Sequence, residues 1–309
     1  MYAVDTLVNA VTRATKPSSR WVFHDGWGDE SVVDLLDITK APPPAPIVIE
    51  WHGDEGYFDA PLDRLPDRLS SARVHRVRAP GSETGTRSQR VMVLLPAWDD
   101  ETPAMRLRFA KELAQRGIDS VMLEAAYYGD RRHYLVGPTI RTFEDMVLLS
   151  RAIVEEGRSL VRHFIDLGYE VGIGGFSMGG SLAITAAALT EGQFAIAAMA
   201  PSPHSPVLDG VMAPRINWDA LGQGAEDLLR ERLMLGTITR VPPTESTANA
   251  VLVAGRYDRF VPLELTKQIH EHWPGSELRV FDAGHATLLV RQHKQFVLAI
   301  DDAFTRTFG

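Results

Sequence analysis

From Arg90 to the C-terminus, short apolar runs alternate with amphipathic segments in a regular order. The apolar runs have the length of strands, and the longer segments between them repeat apolar residues at helical spacing. Buried strands that alternate with helices are typical of a mainly parallel sheet covered on both faces. The pattern therefore predicts an α/β fold. The predicted strands are RVMVLLPAW, IDSVMLEAAYYG, YEVGIGGF, FAIAAMAPS, ANAVLVAG and ELRVFDAG. The predicted helices are AMRLRFAKELAQRG, TFEDMVLLSRAIVEEGRSLVRHFIDLG, MGGSLAITAAALTEG, PLELTKQIHEHW and HKQFVLAIDDAFTRTF.

The alternation is interrupted between Ser202 and Thr247. This segment is rich in proline and holds one helix candidate, AEDLLRERLML. It is too long for a simple connection between two core strands. We interpret residues 202–247 as a cap over the carboxyl edge of the sheet.

The first 89 residues carry a weaker pattern. A proline-rich linker precedes a predicted strand at Ile47–Trp51, and ARVHRVRAP alternates like a half-buried strand. The apolar residues of Val4–Val11 share one helical face, which predicts a short helix packed on the body. We interpret residues 1–89 as an N-terminal extension with the first strands, within a single domain over residues 1–309.

Composition narrows the function classes. The formal charge of −8 argues against a broad nucleic-acid-binding face. The absence of cysteine excludes disulfides, thiolate metal sites and a cysteine nucleophile. No apolar run approaches the roughly 18 residues of a transmembrane span, and the N-terminus lacks the pattern of a signal peptide, so we expect a cytoplasmic protein. Nothing in the sequence specifies an oligomeric state.

The segment EVGIGGFSMGGSLAITAAAL, from Glu170 to Leu189, is the most informative. A phosphate-binding interpretation fails, because the third glycine of a dinucleotide fingerprint and the lysine of a Walker loop are both missing. The residues Gly175–Gly179 instead form G-x-S-x-G between a strand and a helix, the setting of a nucleophile elbow. Ser177 is then the candidate nucleophile at a helix N-terminus, where the dipole favours developing negative charge.

An acid and a histidine follow in the expected order. Asp258 lies on the turn after the strand ANAVLVAG, and His285 follows the next strand. The histidine needs a carboxylate to fix its tautomer before it can accept the serine proton. Asp282 is a competing acid, but it is only three residues before His285, so we favour Asp258.

From about Val91 onward the chain resembles an α/β-hydrolase. From Leu94 to Leu221 it is similar to the family of α/β-hydrolase domain-containing protein 18, through LEAAYYGDRR, GGFSMGGSLA and INWDAL. The resemblance implies a serine hydrolase of the esterase or lipase kind that uses no cofactor and no metal. The chain departs from the family at Ala126, where relatives have proline before the paired tyrosines.

The oxyanion hole needs two backbone N–H donors. One is expected from Met178, directly after the nucleophile, and the other from the loop Pro96–Asp99 after the strand VMVLL. By position Trp98 supplies the second donor, with Asp99 as the alternative. The His-Gly pair at His52 stands too early in the chain to form this loop.

Three aromatic residues are candidates for substrate binding. Tyr127 and Tyr128 follow the strand next to the nucleophile strand and are expected to shape the acyl pocket. Trp218 in the cap is expected either to select the acyl chain or to anchor the cap's own small core. Arg131 and Arg132 either meet an anionic substrate group or make structural salt bridges.

The leading hypothesis is the hydrolysis of a carboxylic ester, from a small-molecule or lipid-like substrate, through an acyl-enzyme. Two alternatives remain open at this point. An acyltransferase would use the same triad and pass the acyl group to an alcohol or amine. A binding protein could keep the fold without catalysis.

Overall fold

The structure, a computed structural model, describes residues 22–81, 89–135, 139–209 and 212–309. Its described strands form one nine-stranded sheet in the order β1-β2-β3-β5-β4-β6-β7-β8-β9. The strands are β1 Glu50–His52, β2 Glu55–Asp59, β3 Ser71–Val77, β4 Arg90–Leu95, β5 Ile118–Leu123, β6 Glu170–Phe176, β7 Ala195–Met199, β8 Val251–Gly255 and β9 Glu277–Phe281.

The six strands from β4 to β9 pair only in parallel with one another. This confirms the predicted α/β class. Strand β4 shows why both faces are covered, because Val91, Val93 and Leu95 enter one apolar cluster while Met92 and Leu94 enter the other. Apolar residues on both sides of a strand exclude water from both faces of the sheet.

The first three strands are antiparallel and form one edge of the sheet. The strand predicted at Ile47–Trp51 begins three residues later and is observed at Glu50–His52. Its hairpin partner, Glu55–Asp59, was not predicted, because its two acidic residues and glycine are unfavourable in strands. Pairing with Ser71–Val77 stabilises it in the fold.

Helices cover the two faces of the sheet. They are α1 Ala104–Ala114, α2 Phe143–Asp166, α3 Met178–Ala188, α4 Trp218–Leu221, α5 Ala225–Met234, α6 Leu263–His272, α7 His285–Arg291 and α8 His293–Phe308. Thr142 starts the long helix α2 with a capping box, in which its hydroxyl accepts from the N–H of Asp145. Helix α7 was not predicted, because its apolar and β-branched run ATLLV has no helical periodicity.

The segment 202–247 is attached to the N-terminal part of the chain. Val22 forms an isolated bridge with Ile216, and the indole N–H of Trp27 donates to the carbonyl of Leu221 at 2.9 Å. The motif INWDAL therefore holds the two segments together. The helix predicted at Val4–Val11 lies outside the described residues. Along the described ranges, no helix combines the length and apolar character that a membrane crossing requires.

Candidate active site

Ser177 occupies the sharp turn between strand β6 and helix α3. Its backbone has φ 57° and ψ −122°, a region that residues with a side chain rarely adopt. The turn needs a close approach of strand and helix, and two glycines permit it. A Cβ atom on Gly175 would lie 2.6 Å from the backbone of Gly179, and one on Gly179 would lie 2.5 Å from the carbonyl oxygen of Leu95. Ser177 therefore lies on the turn before the regular helix, and it lines the cavity described below.

His285 and Asp258 meet Ser177 in a continuous chain of hydrogen bonds. The Nε2 atom of His285 lies 2.9 Å from Oγ of Ser177, and Nδ1 lies 2.7 Å from Oδ2 of Asp258. A carboxylate can only accept, so Nδ1 carries the proton and Nε2 is left to accept the serine proton. The arrangement is suited to activating the serine as a nucleophile.

The surroundings hold both groups in place. Oδ1 of Asp258 accepts from the N–H groups of Phe260 and Val261, each at 2.8 Å. The ring of Phe260 stacks on His285 with centroids 4.9 Å apart. Asp282, the competing acid, is instead 69% exposed and pairs with Arg256 at 2.8 Å. Strand β9 ends before Asp282 and directs it to the surface.

A cavity of about 510 Å³ opens at Ser177 and His285. Its walls come from several separate parts of the chain. Helix α2 contributes one face, with residues at positions 146, 147, 150, 151 and 154, and helix α3 contributes positions 178, 181, 182 and 185. Such spacings of three and four place each set on one side of its helix. Further parts of the wall are the N-terminal residues Leu35, Leu36 and Ile38, the loop after β4, the turn at Phe260 and Val261, and the start of helix α7. The segment 202–247 contributes Ser202, His204, Ser205, Pro206, Val207, Met212, Arg215, Leu233 and Gly236.

The two residues expected to supply the oxyanion donors, Trp98 and Met178, line the same cavity as the candidate nucleophile Ser177. Met178 is the first residue of helix α3, so its backbone N–H has no partner within the helix. Asp99, the alternative donor, also lines the cavity and has a positive φ of 60°.

Tyr127 and Tyr128 lie in the protein core, contrary to the expectation that they bind substrate. Both are at most 1% exposed, and neither lines the cavity. Burial raises the pKa of each phenol, so both remain neutral. Tyr127 adopts a positive φ of 71° in the turn after β5.

Arg131 makes a buried salt bridge, which was one of its two sequence interpretations. It forms a bidentate pair with Glu156 at 2.6 and 2.9 Å and also donates to the carbonyls of Glu124 and Leu69. Burial raises the pKa of Glu156 above its usual value, although the guanidinium of Arg131 by itself lowers this pKa. Arg132 pairs with Glu101 at 3.2 Å. The motif LEAAYYGDRR thus joins the sheet to helix α2 rather than lining the cavity.

Trp218 is also absent from the cavity wall and packs, half-buried, against the larger apolar cluster. The segment 202–247 contributes Val207 and Met212 to the wall instead. Sequence reasoning missed the N-terminal wall, because nothing in residues 35–38 distinguishes them from other apolar residues. It also missed the face of helix α2, since a buried helix face has the same pattern whether it meets a core or a cavity. Across the described ranges, no cluster of three metal-ligating side chains is present.

The chain matches the model of the family described as alpha/beta hydrolase domain containing 18, over residues 50–242 and 230–306. This match confirms the resemblance drawn from the sequence motifs. No curated protein matches the chain significantly.

Solved structures with the same fold include several esterases. Esterase Est22 has a TM-score of 0.54 and 15% identity, covering 91% of this chain and 88% of its own. The thermophilic esterase Est2 from Thermogutta terrifontis has a TM-score of 0.51 and 17% identity, covering 88% and 97%. The alpha/beta hydrolase GrgF from Penicillium sp. sh18 has a TM-score of 0.53 and 16% identity, covering 77% and 94%. At such identities the likeness shows the fold alone.

Replacing Arg131 tests its structural role. Arg131→Ala leaves the Glu156 carboxylate buried without its cation and should lower the free energy of unfolding by about 3–5 kcal/mol. The more exposed Arg132→Ala is the matched control and should lower it by less than about 1 kcal/mol. Denaturant titration measures both. A stable Arg131→Ala protein that loses activity only towards anionic esters would contradict the structural assignment.

Proposed function

The chain belongs to the family of alpha/beta hydrolase domain containing 18, and on this premise we propose that it is a serine hydrolase that cleaves a carboxylic ester through an acyl-enzyme. The observation that carries the proposal is the hydrogen-bonded series from Ser177 through His285 to Asp258. In this mechanism His285 takes the proton of Ser177 as the oxygen attacks the ester carbonyl. The resulting imidazolium is stabilised by Asp258 and returns the proton to the leaving alcohol. Water then hydrolyses the acyl-enzyme by the same steps.

The negative oxygen of the tetrahedral intermediate is stabilised by two backbone N–H groups, from Met178 and Trp98. Fixed donors of this kind stabilise charge as it develops in the transition state. The proposal is supported by the position of both residues in the wall beside Ser177. The N-terminus of helix α3 adds a favourable dipole.

The acyl chain of the substrate lies along helices α2 and α3. From position 177 to position 185 the cavity follows α3 for eight residues, or about 12 Å at 1.5 Å per residue. An extended chain advances about 1.2 Å per bond, so this length accommodates an acyl chain of about ten carbons. The apolar residues Val154, Leu182 and Leu36 line the cavity and suit an aliphatic chain. We therefore propose a small-molecule or lipid-like ester as substrate.

The nucleophile can be tested directly. Ser177→Ala should lower kcat by several powers of ten, on the order of 10⁶, because the group that forms the acyl-enzyme is removed. It should also abolish labelling by a fluorophosphonate probe, while circular dichroism shows an unchanged fold. Labelling that persists in Ser177→Ala would rule out this nucleophile. A folded wild-type protein that neither reacts with the probe nor cleaves any ester would favour a non-catalytic role.

The acid can be tested with a matched pair. Asp258→Asn should slow turnover by about 10⁴, because the imidazole is held in the wrong tautomer. Asp282→Asn changes an exposed carboxylate three residues before His285 and should leave turnover near the wild-type value. The comparison uses kcat for one ester at neutral pH. A large loss in Asp282→Asn alone would assign the acid to the wrong residue.

The acyl-chain path can be tested by narrowing it. Ser150 lies on the cavity face of helix α2, so Ser150→Phe should shift the preferred acyl chain to shorter lengths. Differences of this kind amount to about 1–3 kcal/mol per methylene-sized change, or roughly 10-fold to 200-fold in relative kcat/KM.

The control for this test is Trp218→Ala, which removes a side chain outside the cavity wall. It should leave the chain-length profile unchanged. Reaction with a small fluorophosphonate should stay close to wild type in both variants, because the nucleophile is not altered. A profile that moves in Trp218→Ala but not in Ser150→Phe would place the acyl chain in the cap instead.

A further inference from the structure

A polar segment of the cap, Ser202–Ser205, lies in the cavity wall close to the nucleophile. The backbone N–H of Ser202 donates to Oγ of Ser181 at 2.9 Å, and this hydroxyl donates to the carbonyl of Ser177 at 3.1 Å. Ser181 stands one turn of helix α3 after the nucleophile. The segment is therefore fixed about one helical turn, or roughly 5 Å, beyond Ser177 along helix α3.

The hydroxyl of Ser202 is buried without a hydrogen bond. The residue is 1% exposed and lines the cavity, and its Oγ has no partner in the part of the chain that the structure describes. Buried polar atoms in native proteins are nearly always paired. The protein thus leaves this hydroxyl without a partner, and a ligand group held against Ser202 would supply one.

His204 also has a buried polar atom that lacks a hydrogen bond within the described ranges. Its Nε2 lies 3.2 Å from Oδ2 of Asp209, and this hydrogen bond keeps the pKa of the Asp209 carboxyl below its usual value. Because a carboxylate can only accept, Nε2 carries the ring proton and Nδ1 is an acceptor. Within the described ranges this buried Nδ1 has no donor.

We propose that Ser202 and His204 form a polar subsite for the acyl part of the substrate, and that the preferred esters carry a hydroxyl group within a few bonds of the scissile carbonyl. This inference rests on the proposed function. One helical turn corresponds to about four bonds of an extended chain, which places the subsite near the third or fourth carbon of the acyl group.

A hydroxyl group fits the two atoms better than other substituents. It donates to an acceptor such as Nδ1 of His204, and it accepts from a hydroxyl such as that of Ser202. A methylene group satisfies neither atom. A carboxylate accepts from Ser202 but leaves Nδ1 without a donor. It is the competing ligand, because the buried guanidinium of Arg215 lines the same cavity.

The test compares three esters of the same alcohol and acyl chain length: an octanoate, a 3-hydroxyoctanoate and a 3-carboxyoctanoate, which carries its free carboxylate at the position of the hydroxyl. Wild-type protein should cleave the hydroxy ester with a kcat/KM about tenfold higher than the octanoate, since an enzyme with unpaired polar atoms discriminates against analogues that cannot pair with them. Ser202→Ala should reduce this ratio towards one. Ser205→Ala, a serine in the same wall, should keep the wild-type ratio.

His204 allows a sharper comparison between two amides. In His204→Gln the side-chain amide reaches the position of Nε2 and keeps the contact with Asp209, but the acceptor at Nδ1 is lost. In His204→Asn the amide oxygen stands near the position of Nδ1 and the contact with Asp209 is lost. The ratio should fall in His204→Gln and be largely kept in His204→Asn.

Three results would overturn the subsite. They are equal rates for octanoate and hydroxy ester in wild type, faster cleavage of the dicarboxylate ester, or a hydroxy preference that survives in both Ser202→Ala and His204→Gln. In each of them Ser177 would still react with the fluorophosphonate probe, so the proposed hydrolase function would stand. Loss of probe reaction and of all ester cleavage in wild type would instead refute the function itself.

Discussion

The contact between strand β6 and helix α3 is the constraint on which the rest of the site depends. Gly175 and Gly179 bring the two elements so close that a single Cβ atom would meet backbone at about 2.5 Å. Only this approach allows the turn in which Ser177 adopts its positive φ. Backbone strain of this kind costs on the order of 1–3 kcal/mol, and it persists because the surrounding core fixes both elements. Phe176 and the parallel pairing of β6 with β4 and β7 supply that support.

The parallel sheet then brings the partners of Ser177 to the same edge. Strands β6, β7, β8 and β9 are consecutive neighbours, so their carboxyl ends open on one side. Asp258 follows β8 and His285 follows β9, and both residues are buried. Two backbone N–H groups fix the aspartate, and a phenylalanine ring fixes the imidazole. The geometry of the three side chains is therefore a consequence of strand order.

The motifs outside the elbow that carry the family resemblance serve the scaffold. Arg131 joins the loop after β5 to the buried Glu156. Asn217 holds the N-terminal segment, because its backbone N–H donates to the carbonyl of Val22 at 2.9 Å. This second contact matters for the cavity, because the N-terminal segment continues to Leu35 and Leu36 in its wall. Residues far from the nucleophile thus position the surfaces that we propose for acyl-chain selection.

The sequence by itself determined the order of strands and helices along the chain from Arg90 onward, and the residue types of the candidate site. The strands of the parallel sheet can be recognised locally, because burial on both faces requires a continuous apolar run. The elbow can be recognised locally, because its glycine spacing lies within a few adjacent residues between a strand and a helix. The choice of Asp258 over Asp282 was also available from strand ends. Helix α7 and strand β2 were not, because their local preferences are overruled by tertiary contacts.

Only the tertiary structure decided which residues line the cavity. Tyr127, Tyr128 and Trp218 were expected there and lie elsewhere, whereas residues 35–38, one face of helix α2 and the segment Ser202–Ser205 form its walls. The physical reason is that a pocket wall has no signature of its own in a sequence. An apolar helix face that meets a ligand and one that meets another helix have the same pattern, and an unpaired hydroxyl such as that of Ser202 is recognised only when its neighbours in space are known.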